Sequence, residues 1–229
     1  MDLPIKSGLS SSAAICVLVA RAFNEMYELQ LNTMGEMNIA FYGEQRTPSR
    51  CGRLDQACAF GVMPVNMTFD GNEVFVDKIK VKKPLYWVFS ELNGSKDSVK
   101  ILSDLNKCYP FAETEIEKNV QKALGIENEK LIAKATKAIE SGDAKQVGSL
   151  MVEAQNMFDS MVAPASPKEL AAPQLHKVLN DENIKKYTYG AKGVGSQGDG
   201  SVQFLAKDEQ SQADLIKYIK DEYGMEGFR

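Results

Sequence analysis

A chain of 229 residues, 44% hydrophobic and 25% charged, is long enough to bury a substantial core and has the make-up of an ordinary globular protein. A formal net charge of −4 argues against a nucleic-acid footprint, and no apolar run reaches the ~20 residues that a bilayer-crossing helix needs. Neither nucleic acid nor membrane is therefore expected as a partner. Four cysteines (Cys16, Cys51, Cys58, Cys108) lack CxxC spacing and are too few for a disulfide scaffold. A reduced, cytoplasmic setting is expected, because Met1-Asp2-Leu3-Pro4 does not begin a signal peptide.

In chain order, the first stretch is Pro4-Ile5-Lys6-Ser7-Gly8-Leu9-Ser10-Ser11-Ser12-Ala13-Ala14. It feeds a glycine and three serines into a helical repeat of Ala13, Ala14, Val17, Leu18, Ala20 and Phe23, which predicts a helix over 11–27 with Cys16 in its core pattern. Gly8 brings no side chain to obstruct a ligand, and serines at a helix start can cap it. The N–H groups and positive dipole end at such a start suit an anion, phosphate above all. The spacing is not GxxxxGK[ST], and no lysine stands where that loop needs one.

A second helix is predicted over 34–44, capped by Asn32 or Thr33 and ending at Glu44. Pro48 and Gly52 break the segment that follows, up to Asp55 and Gln56. Strands at 65–69 and 74–76 read as a hairpin turning at Asp70-Gly71, and 85–89 reads as a buried strand. Ser95, Lys96, Asp97 and Ser98 read as a surface loop. Helices are predicted at 112–124, 128–141, 144–161 and 173–179, with Pro164 and Pro167 in a connection. A glycine-rich segment at 187–200, a strand at 201–206 and a helix at 211–223 complete the chain. His176, the only histidine, has no partner at ligand spacing and reads as structural or exposed. Met151, Met157 and Met161 read as core.

Three segments carry a resemblance. Pro4 to Ala14 resembles the second, phosphate-binding motif of the GHMP kinases, in a serine-rich form closest to the galactokinase branch. Cys51-Gly52-Arg53-Leu54-Asp55-Gln56 resembles the galactokinase segment C-G-x-x-D-Q. Gly190 to Gly200 resembles the third motif, with Val194 where a hydroxyl residue is common and Gln197 and Asp199 interrupting the glycines. The first family motif is not found, so the chain resembles such a kinase lacking its N-terminal third.

The resemblance implies an α+β, two-domain GHMP fold. Residues 1–80 would form an ATP-binding domain, an incomplete ribosomal protein S5 domain 2-like half, and residues 81–229 a ferredoxin-like half. ATP phosphates would sit on Lys6, Ser7, Gly8, Leu9, Ser10, Ser11 and Ser12, with Mg2+ on Ser12 and Glu44. Asp55 would be the base at the acceptor hydroxyl, with Arg50 and Arg53 neutralising phosphate charge nearby. Gly193, Gly195 and Ser196 would belong to a loop beside the active site. The implied activity is transfer of the γ-phosphoryl of ATP to a small metabolite, first of all a sugar. The alternatives are a mevalonate kinase-like alcohol kinase and a non-catalytic, ligand-binding relative. Nothing in the sequence indicates oligomeric state.

Overall fold

Small apolar residues at three- and four-residue spacing build the first part of the molecule around a helix pair. The computed structural model describes residues 10–47 and 52–229, and the chain divides into two units, Met1–Lys80 and Val81–Arg229. In the first unit, α1 (Ser11–Met26) packs on α2 (Thr33–Glu44) and on a 3-10 helix, Asp55–Phe60. Asn32 caps α2 by accepting from Gly35 N at 2.9 Å. Val17, Ala20, Met37, Ala40 and Ala59 form the core, and Cys16 packs against it from a half-buried position.

Of the helical repeat read from the sequence, Ala13, Val17 and Ala20 face inward, whereas Leu18 and Phe23 are 59% and 53% exposed. The helix packs with its narrow, alanine-bearing side, which lets α2 and the 3-10 helix approach closely. Polar contacts fix that approach. Arg21 on α1 donates through Nε and Nη2 to Glu36 Oε2 at 2.9 and 2.8 Å, and through Nη2 to Ala59 O at 2.8 Å. Asn24 Nδ2 donates to the other Glu36 oxygen at 2.9 Å. These bonds, Arg21's first, hold the nearly buried Glu36 carboxyl below its usual range. Strands β1 (Val65–Asp70) and β2 (Glu73–Lys78) pair antiparallel with Asp70 opposite Glu73. The turn is therefore centred on Gly71-Asn72, one residue beyond the expected Asp70-Gly71. Gly71 has a φ of +56°, suiting a two-residue loop with glycine first.

The second unit carries a four-stranded antiparallel sheet in the order β4-β5-β3-β6: β3 (Tyr86–Glu91), β4 (Thr188–Gly193), β5 (Ser201–Ala206) and β6 (Gly227–Phe228). A helical segment lies between β3 and β4, and one helix between β5 and β6. This is the β-α-β-β-α-β order of a ferredoxin-like fold. The helices are α3 (Ser98–Asn106), α4 (Glu115–Lys122), α5 (Asn128–Ser141), α6 (Ala144–Met161), α7 (Pro173–Leu179), α8 (Glu182–Tyr187) and α9 (Glu209–Tyr223). Val88 and Phe204 on one sheet face bury against Leu175, Ile184, Leu215 and Ile219 of α7, α8 and α9. Trp87 and Leu205 on the other face meet Ala138, Val147, Leu150 and Met151 of α5 and α6. A satellite cluster of Ile101, Leu105, Val120 and Val162 joins α3, α4 and the end of α6.

Besides α8 and β6, which the sequence reading did not expect, three elements depart from it. The helix expected over 112–124 starts only at Glu115, because Thr114 and Glu117 form a reciprocal capping box. It runs on into a π-helical turn, Ala123–Glu127, where Gly125 leaves helical geometry. Ser98, read as loop, opens α3, which is capped by Asp97 accepting from Lys100 N at 2.9 Å. The first half of the expected glycine-rich loop is strand β4, and the turn proper occupies 194–200, closed by Val194 N to Ser201 O at 3.1 Å.

Two glycines decide how α6 lies on β4. A Cβ at Gly190 would meet Gly148 O at 2.0 Å, and a Cβ at Gly148 would meet Tyr189 C at 2.5 Å, so the two backbones touch directly. Gly190→Ala is expected to cost about 3 kcal/mol or more by forcing them apart, read as a lowered midpoint in urea. Gly43→Ala is its control. Gly43 lies in α2 with nothing within 4 Å of the added carbon, so that variant is expected to gain about 1 kcal/mol.

Candidate functional site

The start of α1, the end of α2 and the 3-10 helix meet in the first unit. Ser10 occupies the N-cap position of α1 in a left-handed conformation, φ 56° and ψ 33°, and its side chain makes no capping bond. This corrects the expectation that the serines cap the helix: the Ser10 hydroxyl is turned outward and donates to Asp55 Oδ1. The first bond inside the helix runs from Ala14 N to Ser10 O at 3.0 Å, so the opening turn directs its amide dipoles towards this side chain pair.

Two residues on, Ser12 Oγ donates to Glu44 Oε1 at 2.6 Å, and Gln56 Nε2 donates to Glu44 Oε2 at 2.6 Å. Glu44 and Gln56 are fully buried, and Asp55 is half-buried. Segments far apart in the chain thus converge on one carboxyl. A hydroxyl and a carboxylate side by side are the hard oxygen donors that magnesium takes beside phosphate. The Ser12–Glu44 pair fits a magnesium-nucleotide in that respect. Among the described residues, no cluster of three or more His, Cys, Asp or Glu could hold a metal.

The expected site residues fall into three groups. Ser10, Ser12, Glu44 and Asp55 come together, with Ser11 between the two serines at the helix start. Arg53 is engaged elsewhere: its guanidinium donates to Asn72 O at 2.7 Å and Tyr42 Oη at 3.4 Å and lies over the Phe41 ring at 4.7 Å. Those contacts anchor the hairpin turn to α2. Lys6, Ser7, Gly8, Leu9 and Arg50 lie outside the described residues.

In the second unit, Gly193 is buried and donates its N–H to Gln155 Oε1 at 2.8 Å, and Gly195 has open space around it with a φ of +60°. Ser196 Oγ donates to Ser98 Oγ at 3.4 Å, linking the glycine-rich turn to the start of α3. His176 is 3.8 Å from Asp159 on the flank of α7, a structural placement. Gln56 and Gln155 were missed as positioning residues. Gln56 stands in the quoted C-G-x-x-D-Q segment beside Asp55, so a signal for it was available. Gln155 lies in mid-helix 38 residues before its partner, with nothing local to mark it.

Comparison with known proteins bears on the same segments. The family model described as "GHMP kinases N terminal domain" matches residues 1–62, which include all of the converging side chains. The galactokinase of Thermotoga petrophila is 26% identical over 255 residues, covering 98% of this chain and 70% of the relative. The first 62 residues thus match the N-terminal domain of the GHMP kinases. The fold agrees. The L. major mevalonate kinase in complex with R-mevalonate superposes with a TM-score of 0.70 at 19% identity, over 93% of this chain and 62% of that one. Lactococcus lactis galactokinase complexed with galactose gives 0.73 at 16% identity, over 99% and 66%. The chain thus spans about two thirds of the length of the GHMP kinases it matches. No described helix is long and apolar enough to cross a membrane.

Removing the acceptor that Ser12 and Gln56 share is expected to loosen this convergence. Glu44→Leu should cost about 2 kcal/mol and Glu44→Gln less, as measured by chemical denaturation.

Proposed function

We propose that this chain is a GHMP-type, ATP-dependent kinase that transfers the γ-phosphoryl of ATP to a hydroxyl of a small metabolite, a sugar of the galactokinase type. The observation that carries the reading is the hydrogen bond from Ser10, at the mouth of α1, to Asp55. A phosphoryl transfer site needs amide dipoles for the phosphates and a carboxylate at the incoming hydroxyl, within reach of one another. The sugar class rests on the galactokinase relative and on the C-G-x-x-D-Q segment around Asp55.

In this reading the triphosphate lies along Ser10, Ser11 and Ser12, with Lys6 to Leu9 preceding them in the loop. Asp55 orients the acceptor hydroxyl and takes its proton. Ser12 and Glu44 would hold Mg2+, which would offset charge on the phosphates. Gln56 keeps the Glu44 carboxyl in place through its 2.6 Å bond. Arg53, occupied by Asn72, Tyr42 and Phe41, is given no role at the phosphates. A cytoplasmic setting, where ATP is available, belongs to the same reading.

The test is phosphoryl transfer from ATP across a panel of hexoses and mevalonate. Asp55→Asn is expected to lower kcat by ~10^2- to 10^4-fold while ATP affinity stays within about two-fold. Full turnover in Asp55→Asn overturns the assignment of the base. Mevalonate as the only acceptor replaces the sugar reading with the alcohol-kinase one. ATP binding without turnover of any acceptor by the wild type favours the non-catalytic one.

A further inference from the structure

A pocket opens along the free edge of β4, and every residue that lines it belongs to the second unit. It encloses about 410 Å³, within the range of small-molecule sites. Helices α6, α7 and α8 form its walls, with Leu179 and Ile184 supplying apolar surface. β4 ends the sheet, so among the described residues no strand pairs with its other side. Gly193 N donates to Gln155 on that side, and strand alternation points the N–H and C=O of Ala191 the same way. The strand edge therefore offers the pocket one donor and one acceptor.

The polar side chains of the pocket are matched to hydroxyls. Asp159 accepts from Gln155 Nε2 at 2.8 Å through Oδ1, and its other oxygen has no partner among the described residues. His176 Nε2 stands 3.8 Å from Asp159 Oδ1, too far for a direct hydrogen bond. A hydroxyl about 2.8 Å from each atom closes that gap, donating to the carboxylate and accepting from the imidazole N–H. An ammonium has nothing with which to accept, and an anion is repelled by Asp159. Lys185, the one ammonium among the described lining residues, is already paired with Glu182 at 2.7 Å. The side-chain amides of Asn156 and Asn180 have no partner among the described residues, and each both donates and accepts. Donors and acceptors thus stand side by side around the pocket, as hydroxyls require.

We propose that this pocket binds a neutral polyhydroxylated small molecule, a monosaccharide or an open-chain polyol, with one hydroxyl bridging Asp159 and His176. Asn156, Asn180 and the Ala191 edge take further hydroxyls of the same ligand. The inference does not rest on phosphoryl transfer, since nothing in this donor set calls for a nucleotide.

The test is an NMR titration of the full, isotope-labelled chain with D-galactose, sorbitol and putrescine, at about pH 8 to keep His176 neutral and without nucleotide. Galactose or sorbitol is expected to shift the Ala191 backbone amide and the Asn156 and Asn180 side-chain amides, saturating at about millimolar concentration or below. Asp159→Leu is expected to weaken binding by about 10- to 100-fold and His176→Phe by about 3- to 10-fold, the loss of a charged and of a neutral hydrogen bond. Val152 is exposed on α6 at the pocket wall, so enlarging it leaves the core untouched. Val152→Trp is expected to abolish the shifts, and it serves if Asp159→Leu fails to fold. Tighter binding of galactose than of sorbitol identifies a ring sugar, and the reverse order identifies an open-chain polyol. The proposal is overturned if neither compound shifts these amides, if the shifts persist unchanged in Val152→Trp and Asp159→Leu, or if putrescine binds as tightly as either.

Discussion

The first unit hangs on one carboxyl. Glu44 is shut away from water, and a buried carboxyl is tolerable only when its oxygens meet donors. Ser12 serves one oxygen and Gln56 the other. Each donor sits within two residues of a member of the Ser10–Asp55 pair, so satisfying Glu44 also sets where that pair meets. The bonds that make the carboxyl bearable are those that bring the helix mouth to the aspartate.

A second clamp on the same helices reinforces it. Glu36 takes Arg21 on one oxygen and Asn24 on the other, and Arg21 also reaches Ala59 in the 3-10 helix. Glu36 and Glu44 lie two turns apart on α2; Glu44 binds α1 and the 3-10 helix directly, and Glu36 binds α1, whose Arg21 reaches the 3-10 helix. With contacts at both ends, the helix pair can neither slide nor rotate without breaking charge-assisted bonds. Alanines at the interface supply close approach, and carboxyls supply the register.

Much of this was legible in the sequence, for identifiable reasons. α5 and α6 run where apolar spacing places them, because long amphipathic helices repeat the signal several times. Asp55 and Ser12 were legible because their segments resemble family motifs at both ends of the unit. α8 was not, since six residues with Ile184 as the one buried position give no period to detect. α3 was hidden because Asn93-Gly94-Ser95 reads as a loop, although Asp97 is a helix cap and Ile101 and Leu105 follow at a four-residue interval. The polar closure of the sites was harder still. Arg53 looks like a phosphate ligand by position and is instead held by two aromatic rings and the hairpin turn. Side-chain destination depends on tertiary neighbours that local spacing does not encode.

The meeting of α6 with β4 has a further consequence. Gly148 touches Gly190, and Gln155 receives the N–H of Gly193. Seven residues of helix advance about 10.5 Å and three of strand about 10 Å, so both attachments fall in step, like two pegs cut to one ruler. A single residue added to α6 between the pegs would swing Gln155 about 100° around the helix and unseat one of them. Variation in length can accumulate beyond Gln155 or before Gly148, whereas the seven-residue span between them is a fixed gauge on which the placement of the glycine turn depends.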